Sequence, residues 1–343
     1  MTSEAVTLYD GGDTLARADR WAGMQEDARR REAVRAASEH DQAALWDLTQ
    51  SWLINFGRKG GSLSPRTLER YRRSLLAQDA DRPRSLSPTA ALLEAWKQEN
   101  LLHPSRMAAT RWLRSLEAAG ARPSTVQVML SAARSLYAAL RSAGATEADP
   151  FKDAHAGKDP VPAHEKRGEY SPAEVKRLLA HADGDDERLL LMLGAYGGLR
   201  AAEMVGLRWA DVDLDAGRLV VKRGKGGKRR TIPLAPLLAD ALREAARPSA
   251  FVLALEPERQ TAGIAGTRYR AAIRRLKRAC LRAGVPPRGL HALRHSAGTR
   301  LYEQSGDVEL VSRLLGHESI ATSTIYIKRS DKKLARAMEQ WSE

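Results

Sequence analysis

A mainly α-helical fold with one small antiparallel β-sheet, arranged in two domains, is what three observations predict. Apolar residues recur at helical spacing between start and stop signals across residues 44–151. Residues 152–169 are polar, with glycine and two prolines, which is the composition of a linker. Beyond them only two short runs, Leu219–Lys222 and Arg230–Leu234, read as strands, and they flank a glycine-rich basic turn.

The elements follow in chain order. Residues 1–43 form an N-terminal arm, charged and rich in alanine, whose run from Gln25 to Gln42 reads either as a solvated helix or as a mobile arm. From Ala44 a stripe of Leu45, Trp46, Leu48, Trp52, Leu53 and Phe56 predicts a helix, ended by Gly60 and Gly61. Ser64 is placed to cap the next helix, because its hydroxyl can accept from a free first-turn N–H, and Pro65 fits the first position, where no N–H is needed. That helix carries Arg66, Arg70, Arg72 and Arg73 around Leu68, Tyr71, Leu75 and Leu76. Further helices are expected near 90–97, 105–118 and 124–142, with Gly120 and Gly144 as stops.

Residues 170–330 make the second domain. Ser171, Pro172 and Glu174 form a capping box with proline at the first helical position. Leu189–Tyr196 reads as a buried helix, Gly197 and Gly198 turn the chain, and Tyr269–Cys280 is a strongly basic helix. Residues 290–328 are broken by Gly306 and Gly316 into short helices that bring one arginine, two histidines and a tyrosine towards a common point. A tail helix, 331–343, places Leu334, Met338 and Trp341 at helical spacing.

Composition limits the function. The 343 residues carry a formal net charge of +14, which points to a polyanionic partner, nucleic acid above all, although an arginine-rich composition alone also produces such a charge. Cys280 is the single cysteine, so no intrachain disulfide can form, and it is expected to pack as a small apolar residue. No run approaches about 18 apolar residues, so no membrane association is expected. The first residues include early acids and no apolar stretch, unlike a secretory signal, and a cytoplasmic protein is the expectation.

The candidate chemistry is that of a phosphodiester. His291 and Arg294, three residues apart, can share a helix face. Arg200 follows Gly197-Gly198-Leu199, where the backbone can approach a ligand closely, and with Arg294 it could hold both non-bridging oxygens of one phosphate. Glu203 is placed either to orient Arg200 or to make an ordinary surface pair. The basic turn contributes Lys222, Arg223, Lys228, Arg229 and Arg230, and the helix after Ser64 contributes Arg66 and Arg70, as expected DNA-backbone contacts. His291 and His295 have the spacing of a zinc pair, but Ala292 stands where a zinc protease needs Glu, so no metal and no cofactor is expected, and His295 is expected to support packing.

The ordered set Gly198-Leu199-Arg200-x-x-Glu203, Lys225, His291-Ala292-Leu293-Arg294, Leu315-Gly316-His317 and Tyr326 resembles the tyrosine recombinase (phage integrase) family, closest to its Xer-like members. Each motif alone is common; the set in this order is specific. The resemblance covers roughly residues 45–340. It implies a two-domain DNA clamp, with a helical core-binding domain over 44–151 and an α+β catalytic domain. Ser64 to Thr67 and Asp149-Pro150-Phe151 resemble the usual first motif and end of the former. The resemblance makes Tyr326 the nucleophile and Lys225 the general acid, with Lys222 and Lys228 as rivals for that role. It gives His317 as a hydrogen-bond donor to the phosphate, His291 as an acid/base group and Arg200 with Arg294 as the clamp. The implied function is a site-specific DNA recombinase, working through a 3′-phosphotyrosyl intermediate in Xer-like recombination or in integration and excision of mobile DNA. A type IB topoisomerase and a non-catalytic DNA-binding accessory protein are the alternatives. The implied partners are double-stranded DNA and further subunits, roughly two to four in a synapse, either identical or with a related recombinase. The tail helix would then dock on a neighbouring subunit; packing back on its own domain is the alternative.

Overall fold

Ser171 accepts from the backbone N–H of Glu174, and the Glu174 carboxylate returns to the Ser171 N–H, so the capping box written in the sequence starts a helix where it should. In the computed structural model, residues 20–58, 60, 63–76, 90–157, 168–222, 229–255, 264–317, 323 and 326 are described. The chain divides into two compact units, residues 1–160 and 161–343.

Among its described residues the first unit has helices and no strand. Helices α1 (Glu26–Ser38), α2 (Gln42–Asn55), α3 (Pro65–Leu75), the single turn α4 (Leu92–Ala95), α5 (Ala108–Ala118) and α6 (Pro123–Ser142) follow in order. The long α6 is the axis, with α2 and α3 laid against it. Ser64 caps α3 through Thr67, with Pro65 in its first turn. Phe151 is fully buried among Trp96, Trp112 and Tyr137, with ring centroids 5.3–5.7 Å away. Such pairs each add about 0.5–1.5 kcal/mol beyond the area they bury. The α1 region departs from the solvated helix or mobile arm that its charge suggested. Ala33, Ala36 and Ala37 are buried, together with Trp21, and α1 packs on α2. A stripe made only of alanine carries too little apolar contrast to stand out among charged neighbours. The helix expected over 90–97 shrinks to α4, and the one expected from 105 begins at Ala108.

The second unit holds α7 (Pro172–Ala180), α8 (Asp185–Ala195), α9 (Ala201–Gly206), strands β1 (Val212–Asp213), β2 (Arg218–Val221) and β3 (Arg230–Pro233), then α10 (Pro236–Glu244), α11 (Ile264–Arg282), α12 (Leu290–Ser305) and α13 (Val308–Leu315). The sheet is antiparallel in the order β1-β2-β3, with Leu219 opposite Ile232 and Val221 opposite Arg230. Leu219, Val221 and Ile232 are buried and so fix the register. α8 is the centre, buried on all sides from Leu189 to Ala195, and α7, α10, α11 and α12 pack around it. Cys280 is buried, as expected. The tail residues Leu334, Met338 and Trp341 lie outside the described residues, as do Lys225, Arg223 and Lys228. No described helix is long and apolar enough to cross a membrane.

Candidate active site

Three elements of the second unit converge on one carboxylate. Arg200 sits at the start of α9, just after the Gly197–Gly198 turn, and Glu203 is one turn on. The Glu203 side chain is 5% exposed. It accepts from the Arg200 backbone N–H at 2.8 Å and from Arg200 Nη1 at 3.0 Å. Arg230, the first residue of β3, donates to both of its oxygens, at 2.8 and 2.7 Å. Arg294, from the middle of α12, is 3% exposed and lies 3.9 Å from the same carboxylate. Burial alone would raise the pKa of Glu203, but the hydrogen bonds from Arg230 and from the Arg200 backbone, with the charge of Arg230, outweigh it and hold the carboxyl at about 2. Glu203 is therefore ionised at any physiological pH.

The arginines are also held from the other side, by the end of α13. Leu314, Leu315 and Gly316 have carbonyls with no helical partner, at the negative end of the helix. Arg230 Nε donates to Leu314 O (3.2 Å), Arg294 Nη2 to Leu315 O (2.5 Å) and Arg200 Nη2 to Gly316 O (2.8 Å). Arg294 Nη1 also reaches Gly198 O at 2.7 Å. Gly316 ends α13 in the left-handed region, at φ 62°, and a Cβ there would meet Arg230 Cδ at 2.8 Å. Glycine is needed for both reasons. Burial, and then the charge of Arg200, pull the Arg294 pKa down to about 9, which still leaves it cationic at neutral pH.

His317 follows directly. Its Nδ1 lies 2.7 Å from Ser323 Oγ, a fully buried hydroxyl. Burial, and then the positive charges of Arg294, Arg200 and Arg230, lower its pKa to about 4. The imidazole is neutral at pH 7, and in the tautomer whose Nδ1 accepts the serine proton its Nε2–H is a donor.

Tyr326 is 1% exposed. Its ring lies over α12 where Gly298 leaves room; a Cβ on Gly298 would come within 2.6 Å of Tyr326 Cζ. The Tyr326 hydroxyl is 3.0 Å from His295 Nδ1. The His291 ring stands edge-on to the His295 ring, 5.3 Å away, and His291 itself faces solvent. Among the described residues, no three His, Cys, Asp or Glu come together as a metal cluster would require.

The expected site residues thus divide. Arg200, Glu203, Arg294 and His317 gather around the end of α13. Tyr326 and His291 meet at His295, to which sequence reasoning had given only a packing role. Arg230, expected among the phosphate contacts, is turned inward instead, because a buried carboxylate and a helix end together satisfy its guanidinium; the signal available was only the order of strand, glutamate and glycine. Ser323 was missed altogether. Of the other expected DNA contacts, Lys222 is exposed and pairs with Asp211, and Arg229, Arg66 and Arg70 are exposed.

Comparison with known proteins adds independent information. The phage integrase family model matches residues 170–333. The tyrosine recombinase XerC of Xanthomonas axonopodis pv. citri is 33% identical over 288 residues, spanning 81% of this chain and 90% of that protein. The tyrosine recombinase XerA of Thermococcus kodakarensis is 38% identical over 172 residues, 49% of this chain and 60% of that protein. Among solved structures, the XerH site-specific recombinase bound to a palindromic difH substrate superposes with a TM-score of 0.62 at 17% identity, covering 96% of this chain and 95% of that one. A lambda integrase dimer bound to a COC′ core site gives a TM-score of 0.58 at 17% identity, over 91% of this chain and 84% of that one. At such identity the structural likeness is one of fold.

Proposed function

This chain belongs to the phage integrase family of tyrosine recombinases, and from that premise we propose that it cleaves and rejoins duplex DNA at specific sites through a covalent 3′-phosphotyrosyl intermediate. The observation that carries the reading is the joint fixing of Arg200 and Arg294 by Glu203 and by adjacent carbonyls of α13, with neutral His317 beside them. Two fixed guanidiniums suit a phosphate whose non-bridging oxygens gain negative charge in the transition state. The donors need not reorganise as the charge develops, so they stabilise the transition state more than water would.

Tyr326 attacks the scissile phosphorus, a new P–O bond forms to the tyrosine, and the bond to the 5′ oxygen breaks. The phenolic proton leaves towards a neighbouring base, and His295 Nδ1 is the ring nitrogen in contact with the hydroxyl. The departing 5′ oxygen takes up a proton, for which Lys225 is the proposed donor. His317 donates a hydrogen bond to the phosphate. One phosphate ester replaces another, so the link is retained and a 5′ hydroxyl from a partner strand can reverse the step. The exposed Arg66, Arg70, Lys222 and Arg229, with Arg223 and Lys228, are the proposed contacts to the DNA backbone. The protein acts on DNA in the cytoplasm as a homo-oligomer, which predicts cooperative gel shifts on paired sites.

Tyr326→Phe tests the reading. It removes one hydroxyl, and should bind a nicked suicide substrate as the wild type does while forming no covalent adduct. An adduct formed by that variant would remove Tyr326 from the role.

A further inference from the structure

We propose that Arg230 is a positioning residue for strand cleavage, holding Glu203 so that Arg200 and Arg294 remain aimed at the phosphate, and that it is not itself a DNA contact. The inference rests on the reading that this site cleaves DNA.

Three observations carry it. First, Arg230 grips Glu203 with both ends of its fork, at 2.8 and 2.7 Å, and its side chain is only 13% exposed. A planar fork on a carboxylate is a rigid two-point contact. Second, the three arginines occupy three consecutive carbonyls, Leu314, Leu315 and Gly316, so Arg230 is the third member of one layer. The chain accommodates it there by keeping position 316 free of a side chain. Third, the charges need it. Glu203 lies within 3.0 Å of Arg200 and 3.9 Å of Arg294. Without Arg230 its full negative charge would fall on those two, drawing them inwards and lowering the net charge that a phosphate should meet from +2 to +1. With Arg230 on both oxygens, the layer of three guanidiniums and one carboxylate keeps a positive excess. Arg230 also opens β3, which pairs with β2, and Lys225 lies five residues earlier in the sequence. The same contact therefore ties that strand to the arginine layer.

The test is a double-substitution cycle on single-turnover cleavage of a nicked suicide substrate, with DNA affinity measured across salt concentrations. Arg230→Met should lower the rate of adduct formation by about 10²-fold, the scale of an ångström-sized misplacement. DNA affinity should stay within about threefold and its salt dependence unchanged, because no phosphate contact is lost. Arg230→Lys should restore part of the rate. If Arg230 acts through Glu203, then Glu203→Gln/Arg230→Met should be no slower than Glu203→Gln alone. That double variant leaves no unpaired buried carboxylate, and it serves as the comparison if Arg230→Met alone fails to fold. The proposal is overturned if the two rate effects multiply. It is equally overturned if Arg230→Met cleaves normally at saturation while its affinity and salt slope fall, which would make Arg230 a backbone contact. Absence of an adduct with the wild-type protein would instead overturn the functional reading itself.

Discussion

Arginine is used in two opposite ways in this molecule. On α3, Arg66, Arg70, Arg72 and Arg73 all face solvent, and Arg73 pairs with Glu69 at 2.6 Å on the surface. In the second unit, Arg200, Arg230 and Arg294 are drawn into the protein and tied to a carboxylate and to carbonyls. Arg268 of α11 is a further inward case: it donates to Val205 O and Leu253 O and lies over the Phe251 ring. Flexible exposed side chains suit contacts to a polyanion, where charge matters more than direction. Fixed ones suit a reaction, where direction matters as much as charge. The +14 charge is therefore not one reservoir, and each arginine has to be assigned from its partners.

The sharpest way to break this comparison is to remove the acid from each kind of pair. Glu203→Ala leaves three neighbouring guanidiniums without their carboxylate and should cost about 3–5 kcal/mol of stability, the scale for opening a buried ion pair. Glu69→Ala should change stability by less than about 1 kcal/mol, because its pair is exposed and screened. Denaturant unfolding of the two variants measures both, and equal losses would erase the distinction.

A smaller effect is expected on binding. Arg66→Ala and Arg70→Ala should each weaken DNA binding and lower the slope of log affinity against log salt by about one. Cleavage at saturating protein should be unaltered. A reduced cleavage rate with unchanged affinity would place α3 in the chemistry and not at the backbone.

A further effect is on pH dependence. His317 protonates near pH 4 when folded and near 6.5 when unfolded. Between those values the unfolded chain binds the extra proton, so this group's contribution to stability falls as pH drops from 6.5 to 4 and is constant above 6.5. His317→Asn should flatten that part of a plot of melting temperature against pH. An unchanged slope would mean that other groups produce it.

Much of the fold was legible because local signals and tertiary structure agree. Ser64 with Pro65, and Ser171 with Glu174, start helices where their side chains say. The α8 apolar run is central, and Gly306 and Gly316 end α12 and α13 in the left-handed region. What was illegible depends on contacts distant in sequence. The two-residue strand β1 has no pattern of its own; it exists because β2 is beside it. The α1 helix hides its core face in alanines. In the site, Arg200 and Glu203 were legible because three residues on one helical turn let them meet. Arg294 was indicated by the family resemblance; the helix face it was expected to share with His291 is not shared, since His291 is exposed and Arg294 buried. Arg230 looked like its basic neighbours, because no local pattern tells that its guanidinium meets a carboxylate 27 residues earlier. His295 looked like packing until the fold brought it to a tyrosine 31 residues later.

Everything proposed for this site depends on the hydroxyl of Tyr326 forming the bond to DNA. The most direct measurement traps the adduct on a nicked suicide substrate in the presence of EDTA, digests it and maps the modified peptide by mass spectrometry. The expected product is a nucleotide joined through its 3′ phosphate to Tyr326, formed without added divalent metal. An adduct on a different residue, or DNA cut to free ends only when metal is supplied, would contradict it.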